Sequence, residues 1–329
     1  MAKVDIVIPC YNYARFLKRC VDSILKQSIS DFRILIIDDA SSDDSHVVAE
    51  SLAMADSRIS VISHSQNAGH INTYNEGIDW ATSDYFLLLS ADDLLVPGSL
   101  ERAVRIMDLH PDVVLTYGEV AYWQDHSPVP LPIDIKDCFK WNRRDIIQDM
   151  CVSGENLVAT PTAIGRTSAQ KAIGGYQIDL PHSADMAMWL RFAAIGSVAQ
   201  IHAVQAIYRR HSSNMSSSFF REKLPDYRQR KAAFDHLFDT NQNRLLNANA
   251  LRTCANRRLA EKAYWTGVGQ LLRGQKSNAG ELLRFAIELN PRLYYCPPLQ
   301  QLLQTPNLDK IFASIVGEAA SHLLWWSKR

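Results

Sequence analysis

The feature that most constrains the fold is the alternation of short apolar runs with amphipathic stretches over the first 120 residues. The runs are rich in Ile, Val and Leu at odd and even positions alike, which is typical of strands buried on both faces. They cover residues 4–8, 34–37, 59–62, 85–89 and 113–117, and the amphipathic stretches cover residues 14–26, 45–56, 71–82 and 97–110. This alternation predicts an α/β domain with a mostly parallel sheet covered by helices.

The pattern changes after residue 123. Residues 123–135 are rich in proline, which indicates a loop, and a helix over 184–195 and a strand over 198–208 follow. From residue 222 onward the sequence predicts helices only. We therefore expect an α/β domain of residues 1–220 and a helical domain of residues 221–329, because a chain of 329 residues can bury two cores.

Charge and composition exclude some partners. Lys plus Arg and Asp plus Glu both number 35, so no net field attracts nucleic acid. The first apolar run starts at residue 4, so we expect no secretory signal, and the six cysteines form no Cys-x-x-Cys pair. No apolar stretch reaches the ~20 residues that span a bilayer. We expect a cytoplasmic protein, at most peripheral at the inner face of a membrane.

Polar residues follow three of the apolar runs, at residues 9–12, 38–43 and 90–93. Each segment alone can act as a helix cap or a solvated turn. Open parallel sheets bind ligands where their strands end, so we expect the three segments to share one crevice. Carboxylates clustered there repel one another unless a hard cation lies between them, which predicts Mn²⁺ or Mg²⁺ completed by phosphate oxygens. The chain has no P-loop and no Gly-x-Gly-x-x-Gly element, so neither a P-loop kinase nor a dinucleotide enzyme is supported.

These segments resemble, in order and spacing, the signature blocks of family 2 glycosyltransferases of the GT-A fold. The matching blocks are residues 4–12, 36–43, 67–69 with 75–77, and 89–93, and weaker blocks continue to about residue 215. The resemblance implies a Rossmann-like sheet with an all-α C-terminal appendage. It also implies an inverting enzyme that moves a sugar from a nucleoside-diphosphate sugar, with UDP- or dTDP-sugars favoured, to a hydroxyl acceptor.

The resemblance assigns the first blocks to the nucleotide. Tyr11 would stack on the base, Asp39 would accept the N–H of the base, and Pro9 would shape the loop. The same nucleotide-binding set includes Asn12, Asn67 and Gly69.

The later blocks are assigned to the diphosphate and its metal. Asp93 would ligate the bridging Mn²⁺ or Mg²⁺, and Asp92 would face the ribose or the metal. Ser90 stands where many relatives have another Asp, which leaves a second direct carboxylate ligand open. Residues 208–216 resemble the family's closing motif, in which Arg209, Arg210 or His211 approaches the diphosphate, and His211 is also a candidate metal ligand.

The catalytic base of inverting relatives lies in an acidic pair just before a Trp-Leu-Arg helix. Here Trp189-Leu190-Arg191 follows Asp185, and Ala184 replaces the neighbouring acid. Asp185 is therefore the candidate base, since one carboxylate is sufficient to take the acceptor proton. The alternative is that Asp185 only caps the helix.

Two other functions stay open. Ser90 and Ala184 fit a catalytically inactive nucleotide-sugar binding or scaffold protein. A nucleotidyltransferase shares the sheet, but such enzymes usually hold a triphosphate with a glycine-rich loop, and residues 9–14 contain no glycine. The expected acceptor is a glycan or a lipid-linked compound in glycan, polysaccharide or glycolipid assembly.

The helical domain is expected to position the acceptor or a partner and to supply no catalytic group. Its end places Trp325 and Trp326 beside Lys328 and Arg329. Such a segment suits docking on the α/β domain, a homodimer, or a membrane interface. Docking is favoured, because a short segment binds bilayers poorly.

Overall fold

The computed structural model of the chain describes residues 2–124, 127, 139–212, 214, 223–241 and 244–299. Its strands are β1 (Val4–Cys10), β2 (Phe32–Asp38), β3 (Ile59–Ser63), β4 (Tyr85–Leu88), β5 (Leu94–Leu95), β6 (Val113–Gln124), β7 (Trp141–Arg144), β8 (Ile164–Arg166) and β9 (Ser197–Arg210). Its helices are α1 (Ala14–Leu25), α2 (Ser45–Ala55), α3 (His70–Trp80), α4 (Ser99–Leu109), α5 (Ile146–Ser153), α6 (Thr167–Ile173), α7 (Ala184–Ala193), α8 (Lys223–Asn241), α9 (Ala248–Leu272) and α10 (Lys276–Leu289). Most of the proline-rich segment and the tryptophan-containing tail lie outside the described residues.

The described strands form one sheet in the order β3-β2-β1-β4-β8-β6-β9-β5, with β7 pairing with β9. Strands β1 to β4 are parallel and alternate with α1 to α3, which confirms the α/β class predicted from the apolar runs. Strand β8 runs antiparallel between β4 and β6. The sequence pattern does not predict β5, β7 and β8, because two to four residues are too few to show a period.

Successive residues of the central strands point into two cores. In β1, Ile6 and Ile8 face the core that contains α1, while Val7 faces the other core. In β2, Ile34 and Ile36 lie with the first group. The two-residue period of a strand thus explains why the apolar runs show no alternation with polar residues.

The helices after residue 223 pack on the same core as the sheet. One continuous apolar cluster contains Leu35 and Leu88 from the sheet together with Phe234, Leu259 and Phe285 from α8, α9 and α10. This confirms the predicted helical appendage. Within the described part of the chain, no helix is long and apolar enough to cross a membrane.

Candidate active site

Hydrogen bonds connect the loop that follows β1 to the loop that follows β2. Asn12 adopts φ +58°, a left-handed conformation that asparagine tolerates. Its side-chain oxygen accepts the Ser42 N–H at 2.8 Å, and its own N–H donates to the Ser41 hydroxyl at 2.9 Å. Asn12 therefore ties the two loops together. Beside it, Tyr11 is 49% exposed, and Pro9 is the next-to-last residue of β1, opposite Ile37 of β2.

Asp39 is buried and anchors the loop before α3. Its carboxylate accepts the Ala68 N–H at 2.7 Å and the Gly69 N–H at 3.0 Å. Its carbonyl accepts from the Asn67 side chain at 3.2 Å. Gly69 has φ +84°, a conformation in which glycine is favoured. The structure thus brings Asp39, Asn67 and Gly69 together.

His64 joins Asp39 to α3. Its Nδ1 lies 2.7 Å from Asp39 Oδ1, and its Nε2 lies 2.6 Å from Glu76 Oε2. The hydrogen bond with Asp39, opposed by burial and supported by Glu76, raises the pKa of His64 above its ordinary value of 6.5. A carboxylate offers about four lone-pair positions. The contacts from Ala68, Gly69 and His64 use three of these positions on Asp39.

Asp92 and Asp93 lie in a turn after β4, and both side chains are buried. Asp93 Oδ1 accepts the Arg209 N–H at 3.1 Å. Asp92 Oδ2 accepts from the Asn214 side-chain amide at 3.0 Å and lies 3.0 Å from His211 Nε2. Burial, and then the charge of Asp92, raise the pKa of Asp93 well above its ordinary value. Two carboxylates are therefore held close together, away from water.

Strand β5 explains why these distant residues meet. It begins directly after the acidic turn, and Leu94 and Leu95 pair with Ile207 and Ala206 of β9. This antiparallel pairing places the residues after Ile207 beside the acidic turn.

The two predicted phosphate-binding arginines point in different directions. Arg209 is 2% exposed, and its guanidinium lies between the rings of Phe16 and Trp123, 4.4 and 4.2 Å from their centres. Its Nε donates to the Asp92 carbonyl at 3.0 Å. Cation–π stacking thus holds the Arg209 guanidinium in place, and its hydrogen bond supports the backbone of the acidic turn. Arg210, in contrast, is exposed.

His211 packs on the same aromatic group. Its ring centre lies 4.6 Å from that of Phe16 and 5.6 Å from that of Tyr13. Over the described ranges, no group of three His, Cys, Asp or Glu side chains is arranged to hold a metal ion. The Asp92 and Asp93 carboxylates are nevertheless of the oxygen type that hard divalent cations prefer, and the imidazole of His211 lies beside Asp92.

Asp185 lies in the first turn of α7 and is half-buried. Its Oδ2 accepts from the Asn156 side-chain amide at 2.8 Å, and its Oδ1 accepts the Met186 N–H at 2.7 Å. Burial raises the pKa of Asp185 to about 6, while hydrogen bonds from Met186 and Thr160 and the charge of Arg230 act against that rise. The N-cap position belongs to Ser183. A carboxyl with this pKa suits proton transfer near neutral pH.

Tyr74 of α3 connects the two acidic regions. Burial, and then the charges of Asp185, Asp92 and Asp93, raise the pKa of its hydroxyl. Its ring lies 5.4 Å from that of Tyr176. The charges of the candidate base and of the acidic turn therefore both act on Tyr74, which lies near both of them.

The sequence motifs do not identify several residues that contact the predicted site residues. They are His64, Tyr74, Asn156 and Tyr176, and each has a partner 12 or more residues away in the chain, beyond the reach of any periodic pattern. The Asn75-Glu76-Gly77 block could have pointed to two of these residues, because its side chains contact them. Asn75 binds the backbone of Tyr176 at both its amide atoms, and Glu76 binds His64.

The fold and these contacts define a class: α/β proteins that bind a ligand where parallel strands end, next to a buried acidic pair. Residues 5–165 match the family model described as "Glycosyl transferase family 2". An uncharacterized glycosyltransferase of Haemophilus influenzae is 24% identical over 227 residues, which cover 67% of this chain and 69% of that protein.

Two solved structures are similar in fold. Residues 1–349 of S. aureus TarS in complex with UDP-GlcNAc align with a TM-score of 0.67 at 15% identity, covering 96% of this chain and 89% of that one. The mannosyltransferase PcManGT from Pyrobaculum calidifontis in complex with GDP-Man and Mn²⁺ aligns with a TM-score of 0.52 at 15% identity, covering 89% and 87%. Residues 5–165 are therefore similar to family 2 glycosyltransferases, and the chain has the GT-A fold.

Proposed function

We propose that this protein is an inverting glycosyltransferase that moves a sugar from a UDP- or dTDP-sugar to a hydroxyl group of a glycan or lipid-linked acceptor. The observation that carries the proposal is the setting of Asp185, a half-buried carboxyl in the first turn of α7 that accepts a hydrogen bond from Asn156 and whose charge, with those of Asp92 and Asp93, acts on Tyr74. A donor diphosphate at Asp92 and Asp93 and an acceptor hydroxyl at Asp185 would then meet in one cleft.

In this mechanism Asp185 removes the proton of the acceptor hydroxyl as its oxygen attacks the anomeric carbon. The bond from that carbon to the diphosphate breaks, and one displacement inverts the configuration. Asn156 orients Asp185 by donating to Oδ2, which leaves lone pairs of the carboxylate for the acceptor. Holding both reactants in this geometry lowers the entropic part of the barrier.

The donor is held by two groups of residues. Tyr11 and Asp39 bind the base, with Asn12, Asn67 and Gly69 keeping their loops in place. Asp93, with Asp92 and His211, would hold Mn²⁺ or Mg²⁺, which when bound neutralises charge on the leaving diphosphate. The complex of PcManGT with GDP-Man and Mn²⁺ supports this choice of cofactor. Arg209 keeps the acidic turn in position, and Arg210 is the exposed arginine of the pair.

The test is to incubate the protein with UDP-, GDP- and dTDP-sugars, with Mn²⁺, Mg²⁺ or chelator, and to measure release of nucleoside diphosphate. We expect release from a UDP- or dTDP-sugar that requires the cation. Asp185→Asn should lower turnover by roughly 10²-fold or more, the usual contribution of a general base, and leave UDP binding nearly unchanged by calorimetry.

The alternatives give different results. A binding or scaffold protein would bind UDP and release nothing from any donor, and a nucleotidyltransferase would form pyrophosphate from a nucleoside triphosphate. Equal losses of binding and turnover in Asp185→Asn would assign Asp185 a structural role. The location in the cytoplasm stays a prediction.

A further inference from the structure

The loop that presents Asn156 to Asp185 is held by the C-terminal helices. Glu155 is ion-paired with Arg230 of α8, and its Oε1 lies 2.5 Å from Lys262 Nζ of α9. Arg230 Nη1 also donates to the Gly154 carbonyl at 3.1 Å. Two cations from two helices therefore bind two consecutive residues just before Asn156.

The two cations of these contacts are partly shielded from water, and Glu155 less so. The side chains of Arg230 and Lys262 are 17% and 22% exposed, and that of Glu155 is 41% exposed. The cations keep the pKa of Glu155 low in spite of its burial, which by itself acts to raise that pKa. Pairs that water screens only partly fix geometry better than surface pairs do.

The backbone of the loop fits closely under α9. Gly154 has φ +67°, and a Cβ at this position would lie 3.0 Å from Arg258 Cγ. Arg258 Nε in turn donates to the Val152 carbonyl at 2.6 Å. On the other side of the loop, Asn156 Oδ1 accepts the Val158 N–H, which turns the Asn156 amide nitrogen toward Asp185. The chain of contacts runs from α8 and α9 through the loop to the candidate base.

We propose that Arg230 and Lys262 are positioning residues for catalysis, which hold residues 154–156 so that Asn156 orients Asp185. The inference rests on the proposed function for the identity of the base. It adds a role to the expected one of positioning an acceptor or a partner, because Arg230 and Lys262 would act on the reaction through Asn156.

The test compares Arg230→Gln with Arg230→Lys and with Arg252→Gln. Arg252 forms an ion pair with Asp239 between α9 and α8, away from the loop, and is the matched control. In Arg230→Gln we expect kcat to fall roughly tenfold, since small misplacements of catalytic groups are costly, while the donor KM and UDP binding stay within about twofold of wild type. Arg230→Lys should recover most of the loss. Lys262→Met, the second variant, should give a smaller loss of the same kind.

The pH dependence of kcat distinguishes positioning from general damage. Tyr74 and Tyr176 face Asp185 with neutral hydroxyls, whose pKa values burial and the Asp185 charge raise, and Arg230 contributes a positive charge that lowers the pKa of Asp185. Without that charge, the acidic limb of the kcat profile should move to higher pH in Arg230→Gln but not in Arg230→Lys or Arg252→Gln. In an Asn156→Ala background the effect of Arg230→Gln on kcat should largely disappear, because both changes break the same path.

Hydrogen exchange gives a readout that needs no substrate. Backbone amides of residues 154–158 should exchange faster in Arg230→Gln than in wild type or Arg252→Gln. Unchanged exchange and unchanged kcat in Arg230→Gln would overturn the inference, whereas a wild-type protein that releases no nucleoside diphosphate would instead reject the proposed function.

Discussion

At the scale of single residues, His64 shows how one imidazole can set the shape of a binding loop. Both its nitrogens contact carboxylates, and both can donate only when the ring is protonated. Neutral His64 keeps one of the two hydrogen bonds. The position of Asp39 relative to α3 should therefore depend on pH.

We predict that His64→Asn destabilises the protein most below pH 6.5, the ordinary pKa of the residue. The folded pKa is raised, so the contribution of His64 is complete below 6.5 and is lost as pH rises through the folded value. Thermal unfolding at several pH values measures this. His46→Asn is the control, because His46 Nδ1 contacts the Ser63 hydroxyl. A difference between wild type and His64→Asn that does not change with pH would contradict the prediction.

The sequence predicted some residues of the site and missed others for a physical reason. Asp39, Asp92 and Asp185 follow strands or begin a helix, so local patterns reveal them. The burial of Arg209 between two rings depends on the pairing of β6 with β9, and Asn156 meets Asp185 only through the docking of α5 and α7. Contacts of this kind have no local signature.

At the scale of elements, α3 packs against β1 through a glycine. A Cβ on Gly77 would lie 2.4 Å from Val7 Cγ1, whose side chain is fully buried in the sheet. The pattern of apolar residues predicts α3 but not this close approach. Similarly, α4 begins at Ser99, two residues later than expected, because Gly98 takes a left-handed φ of +73°.

We predict that Gly77→Ala destabilises the protein by about 1–3 kcal/mol, the usual cost of overpacking, despite the better helix propensity of alanine. Gly280→Ala is the matched control: it makes the same change in α10, where no described atom beyond the local helix backbone lies within 4 Å of the new Cβ, and should stabilise by about 0.5–1 kcal/mol. Denaturant unfolding measures both. Equal effects at the two glycines would contradict the packing argument. In a Val7→Ala background, Gly77→Ala should destabilise the protein less, because the clashing methyl groups of Val7 are absent.

At the scale of the whole molecule, the α/β domain and the helical appendage share one apolar core. The sequence predicts both parts, because each has its own periodic pattern. It does not predict that they pack on a common core, because the contacts between them are long-range.

We predict that Phe234→Ala, in α8, lowers the free energy of unfolding by about 3–5 kcal/mol and shifts a single calorimetric transition of the complete chain. Phe234 is 1% exposed, and Leu246, at 89% exposed, gives the control Leu246→Ala, which should change stability by less than about 0.5 kcal/mol. Two separate transitions, of which Phe234→Ala moves only one, would show that the parts unfold independently.

The pairing of Asp92 with His211 and Asn214 also has a consequence for protein synthesis. Asp92 is separated from these partners by 119 and 122 residues. At roughly 5–20 residues per second, a ribosome needs about 6–24 s to make the intervening chain. During that interval the emerging acidic turn has neither its imidazole nor its amide partner. We therefore expect the acidic turn to gain its His211 and Asn214 contacts only after β9 has left the ribosome.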